Sequence, residues 1–132
     1  MLFSAALFGY FGFMMSWAHQ YTTTNPPQLL VMVVILEWAF RGGAIAFFVS
    51  GIVAMVRLNI ANLVYSVAGL VTAVMFLAVA IWDWTNPQGY YSGVPAILLL
   101  IFAAWNGYGS ITGLRAVLAV RAERESFGPP SA

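Results

Sequence analysis

Charge is what this sequence has least of. Only 7% of its 132 residues are Asp, Glu, Lys or Arg, against 62% hydrophobic, and the mean hydropathy is +0.88. A water-soluble domain carries about a quarter charged residues, so these side chains cannot clothe a soluble surface and fit a hydrocarbon solvent instead. Disorder is excluded by the same richness in aromatic and branched residues. Cysteine is absent, which removes disulfides, thiolate catalysis, Cys-ligated zinc and iron–sulfur clusters. Lysine is absent too, and the basic residues are Arg41, Arg57, Arg115, Arg121 and Arg124. His19 is the only histidine. One histidine cannot supply both axial ligands of a b-type haem within one chain, and no Ser-His, Cys-His or multi-His constellation is present. A net charge of +1 without a basic patch, apart from arginines near helix ends, offers nucleic acid no footing. No enzymatic activity, metal or cofactor is expected.

What is there is apolar run after apolar run. A membrane helix needs about 20 largely apolar residues. Stretches at about 2–19, 29–56, 60–82 and 95–120 qualify, separated by QYTTTNPPQ, RLNIAN and DWTNPQGYYSG. Paired prolines, Asn-Pro and glycine are turn chemistry. The first run lacks a basic n-region and ends in WAHQY rather than in small residues, so it reads as a retained helix rather than a cleaved signal. The expected fold is all-α: an integral membrane, antiparallel four-helix bundle over residues 1–120, with 121–132 a disordered cytoplasmic tail. Arg57 lies in the second break and Arg115, Arg121 and Arg124 at or beyond the end of the fourth run, while the other two breaks carry no basic residue. The excess of basic residues marks the cytoplasmic side, so both termini are expected inside. Trp17, Tyr21, Trp82, Trp84, Tyr90 and Tyr91 then fall at the outer boundary as an aromatic belt. The expected location is multi-pass, in a bacterial inner (plasma) membrane.

Each run carries small or polar residues at alternating steps of four and three. The first gives Ala5, Gly9, Gly12 and Ser16; the third Asn59, Asn62, Ser66, Gly69, Ala73, Phe76 and Ala80; the fourth Phe102, Asn106, Gly109, Gly113 and Ala116. Such positions share one helix face, and helices in lipid meet through small residues with polar groups bonding across. Asn59, Asn62, Ser66, Asn106, Gly109 and Gly113 are therefore expected as packing contacts. The second run shows two stripes, Glu37–Arg41–Ala44–Phe48–Gly51 and Ala39–Gly43–Ala46–Ser50–Ala54, as though it packs on both sides, one side facing the bundle and the other a partner subunit.

Glu37 and Arg41 are the chemically informative pair. Glu37 lies about 13 Å past the loop and Arg41 one turn deeper. Charge at that depth is costly, starting at ~3 kcal/mol, and the i, i+4 order with Glu first favours an ion pair. The pair reads either as a self-neutralising structural element or as a site for a substrate, lipid headgroup, ion or partner protein. The two outer breaks share Thr-Asn-Pro, and Trp38-x-x-x-Gly42 is echoed by Trp105-x-x-x-Gly109, which raises a duplicated helix hairpin as one explanation and chance turn chemistry as the other. The favoured function is a small non-catalytic accessory or scaffold subunit that packs against itself, as a homo-oligomer, or against a larger membrane assembly. Its expected partners are membrane lipid and protein, with no nucleic acid. The alternative is a small oligomeric transporter or channel using Glu37 and Arg41.

Overall fold

The computed structural model describes residues 1–21, 27–85 and 96–128, with side chains over 1–16, 31–85 and 96–128. Four helices make up almost all of it: α1 (Leu2–Tyr21), α2 (Pro27–Ala54), α3 (Leu58–Thr85) and α4 (Ala96–Ser126). No strand occurs among the described residues. Three of the helices, α2, α3 and α4, are long and apolar enough to cross a membrane. The sequence reading counts four such runs. The described apolar stretch of α1, Leu2–Ser16, is shorter than a span, although the helix continues through the more polar WAHQY end to Tyr21.

The boundaries differ at both ends of the α2–α3 connection. The turn occupies Met55 to Arg57, closed by Val56 N and Arg57 N donating to Val53 O at 3.0 and 2.7 Å, and α3 begins at Leu58. The RLNIAN break is therefore mostly helix, because Leu, Ile and Ala outweigh two asparagines in a first turn. At the other end α4 runs to Ser126. The tail expected to be disordered from residue 121 is helical that far, since Arg121, Ala122, Glu123, Arg124 and Glu125 are strong helix formers. Asp83 likewise belongs to α3, not to a loop. The outer breaks that carry the Thr-Asn-Pro repeats, at 22–26 and 86–95, lie outside the described residues, as do the side chains of Trp17, His19 and Tyr21.

Inter-helix contacts fix the directions. A methyl at Gly51 would lie 2.6 Å from Leu2, one at Gly43 3.4 Å from Phe8, and one at Gly12 3.0 Å from Arg41. As α1 advances, α2 recedes, so the two are antiparallel. Gly43 also faces Thr72, while Phe47 packs tilted against Tyr65 and Phe40 against Phe76, with ring centroids 4.8 and 4.9 Å apart, which makes α2 and α3 antiparallel. Gly69 meets Ser110 and Gly113 meets Ser66, which does the same for α3 and α4. Each helix thus packs on its neighbour in the chain, and the N-terminus, the α2–α3 turn and the end of α4 share one end of the molecule.

The ring does not close by backbone packing. α1 meets α2, α2 meets α3 and α3 meets α4, but among the described residues α1 and α4 do not approach as neighbours. An aromatic cluster bridges them: Phe102 of α4 lies 6.2 Å from Phe8 and 5.4 Å from Phe11, with Phe40 and Phe76 completing the centre. Buried aromatic pairs of this kind contribute about 0.5–1.5 kcal/mol each beyond area burial. Between α1 and α4 an apolar cavity of about 270 Å³ remains, with Ser4, Tyr65 and Asn106 among its walls.

Candidate functional site

The two stripes of α2 serve two neighbours within the chain. Gly43 and the fully buried Ser50 belong to the stripe that turns toward α3, where Gly43 meets Thr72. Arg41, Ala44 and Gly51 meet Gly12, Gly9 and Leu2 of α1. The second face is thus covered by α1, and no partner subunit is required to explain it.

Glu37 and Arg41 sit on this α1-facing side. Arg41 Nη1 donates to Glu37 Oε1 at 2.9 Å. Ser16 of α1 joins them: its hydroxyl accepts a hydrogen bond from Arg41 Nη2, and its own proton lies within reach of both Gly12 O at 2.9 Å and Glu37 Oε1 at 3.2 Å. The carboxylate is buried, with 8% of Glu37 exposed, whereas the Arg41 side chain is 47% exposed. Gly12 makes the cluster possible. A methyl there would lie 3.0 Å from Arg41 Cγ and 3.3 Å from its backbone nitrogen, so glycine lets α1 come close enough for Ser16 to reach the pair without displacing Arg41. Sequence reasoning places Ser16 on the packing stripe but not in the ion pair, because a bond between helices has no spacing rule in sequence. Among the described residues no group of three or more His, Cys, Asp or Glu comes together to hold a metal.

The remaining candidates divide by helix face. Ser66 is fully buried against Gly113, and Ser110 in turn fills the space beside Gly69. Two Ser-x-x-Gly segments, Ser66–Gly69 and Ser110–Gly113, thus dock head to tail, each hydroxyl lying where the opposite glycine lacks a side chain. Neither hydroxyl has a hydrogen-bond partner among the described residues, so these serines act as small packing residues held against glycine Cα–H groups. Asn106 is buried too, but its amide donates at 2.8 Å to Phe102 O in its own helix. Asn62 is half-buried and Asn59 exposed at the start of α3.

Gly109 is not on the packing face: among the described residues nothing lies within 4 Å of where its side chain would be. The inward stripe of α4 is Leu99, Asn106, Ser110 and Val117. After Asn106 it steps by four rather than three, and this turns Gly109 outward. Its outer neighbours are Trp105 and Tyr108, 75% and 74% exposed, followed by Thr112, Arg115 and Ala116, all exposed. Trp105 lies about 14 Å along the axis from the start of α4. Of the membrane-length stretches, that of α4 is 17% buried, against 33% in α3 and 39% in α2, so α4 is the least covered helix. Comparison with family models, curated proteins and solved structures gave no match.

Proposed function

We propose that this protein is a small non-catalytic membrane subunit whose α4 outer face receives a transmembrane helix of another chain. The supporting observation is the exposed stripe Trp105–Tyr108–Thr112–Arg115–Ala116 with the half-buried Gly109 in its midst. Tryptophan and tyrosine ordinarily sit at the membrane boundary, where the N–H or O–H reaches water. At mid-bilayer depth the same groups face lipid that cannot bond them, which is unfavourable by the ordinary cost of an unpaired polar group. Gly109 beside them leaves a notch for the close approach that drives helix association in lipid. In this reading α1 is the fourth crossing, carried by its antiparallel packing along α2, and the arginine-bearing end with both termini faces the cytoplasm. Glu37 is a structural element, since Arg41 and Ser16 already neutralise and bond its carboxylate; a transport role would need that carboxylate released.

The absence of native cysteine makes the test direct. Gly109→Cys and Thr112→Cys, labelled in native membranes with a benzophenone maleimide and irradiated so that the probe inserts into a C–H bond of whatever chain lies against it, are expected to give cross-linked protein species, at the mass of a homodimer if the partner is a second copy and at a different discrete mass if it is another subunit. Val74→Cys on the lipid-exposed side of α3 serves as the control. Equal cross-linking at all three positions, or none at any, refutes the proposal.

A further inference from the structure

The end of the molecule that bears the α2–α3 turn holds three of the five arginines around two adjoining cavities. One, of about 390 Å³, is lined by Arg57, Leu58, Asn59, Ile60 and Arg124. The other, of about 200 Å³, shares Asn59, Ile60 and Arg124 and adds Arg121 with the apolar Leu63, Val117 and Val120. The convergence follows from the helix register. Ser66 packs on Gly113 and Gly69 on Ser110; continuing that antiparallel register nine residues toward the turn sets Arg57 level with Ala122, between Arg121 and Arg124. All three arginines are exposed, and none makes an ion pair among the described residues. Glu123 and Glu125 lie on the same turns of α4 but line neither cavity.

The placement also fits the bilayer. α4 has 31 residues, about 46 Å of helix, whereas the hydrocarbon core is about 30 Å thick. Its last turns therefore stand in the headgroup layer, and the cavity floor of Leu63, Val117 and Val120 continues down into the apolar layer.

We propose that Arg57, Arg121 and Arg124 form a binding site for the phosphate of an anionic phospholipid, with Asn59 as a neutral donor and an acyl chain lying along Leu63, Val117 and Val120. Guanidinium is the side chain best matched to phosphate, through paired N–H donors. Basic pockets between membrane helices are known to hold anionic headgroups. The apolar floor distinguishes a lipid from a free anion, which has nothing to place there. The site is independent of the α4 outer face and holds whether or not that face has a protein partner.

The test uses the full chain in nanodiscs of phosphatidylcholine mixed with phosphatidylglycerol, with lipids retained after detergent transfer counted by native mass spectrometry. The expected result is selective retention of phosphatidylglycerol, lowered about fivefold by Arg57→Gln or Arg124→Gln and partly preserved by Arg124→Lys. Arg115→Gln, at an exposed arginine that lines neither cavity and belongs to the α4 outer face, is expected to leave retention within about twofold when each nanodisc holds a single chain and that face has no partner. All these substitutions are at exposed positions, and far-UV circular dichroism checks that each variant remains folded. Equal retention of the two lipids overturns the site. So does a loss in Arg115→Gln as large as in Arg124→Gln, which would show diffuse surface charge. Displacement of the retained lipid by millimolar inorganic phosphate alone overturns the assignment to a lipid.

Discussion

Replacing Arg41 with methionine keeps most of the side chain's length and removes its charge, leaving the Glu37 carboxylate buried without its cation. Removing one partner from a buried ion pair costs about 3–5 kcal/mol. The lower end applies here, because Arg41 is itself 47% exposed and Ser16 still lies 3.2 Å from the carboxylate. Glu37→Gln is the milder change: it keeps the shape and one acceptor, and strands the more exposed partner, for about 1–3 kcal/mol. The double variant carries neither charge and is expected to be close to wild type, so the coupling between the two positions is the sum of the two single costs, at least about 4 kcal/mol. Titration of the purified protein from mild detergent into a denaturing one, followed by circular dichroism and tryptophan fluorescence, measures all four corners of this cycle. A double variant destabilised by the sum of the two single changes, with coupling under about 0.5 kcal/mol, would refute the view that the pair is a structural element. Destabilisation by Glu37→Gln beyond that of Arg41→Met would refute the asymmetry read from burial.

Three further outcomes are expected from the same assay. Gly113→Leu drives a branched side chain into Ser66 and should destabilise the α3–α4 contact by about 1–3 kcal/mol, whereas Gly109→Leu enters open space and should leave the isolated chain's stability unchanged or slightly raised, lowering only assembly with a partner. Ser66→Ala and Ser110→Ala each remove a buried hydroxyl without a partner and should be neutral or stabilising by up to about 1 kcal/mol, while Ser16→Ala, which removes the link between α1 and the ion pair, should destabilise. Phe40→Ala empties the centre of the aromatic cluster; because lipid solvates the exposed unfolded side chain as water does not, its cost should fall below the 3–5 kcal/mol of a soluble core.

The helices and the inward stripe of α3 could be read from spacing alone: Ser66, Gly69, Ala73, Phe76 and Ala80 are all buried. The face of α4 could not. From Asn106 a step of three reaches Gly109 and a step of four reaches Ser110, both small residues, and composition does not choose between them. The second stripe of α2 was legible, but its occupant was not; that α1 covers it depends on Gly9 and Gly12 meeting Ala44 and Arg41 across helices. Arg57, Arg121 and Arg124 read in sequence only as markers of one membrane side, since nothing local brings a turn and a distant helix end together. That required the Ser-x-x-Gly register.

Because α2, α3 and α4 each lean on the helix made just before them, and among the described residues the first and last helices meet through the aromatic cluster and not through close backbone packing, assembly needs no late return of the chain to its beginning. Every docking surface is complete as soon as the next hairpin leaves the ribosome, and contacts this local in sequence close quickly. The same order makes the outermost helices peelable: α1 can swing away from Phe102 without unzipping the serine–glycine seam on which α3 and α4 depend.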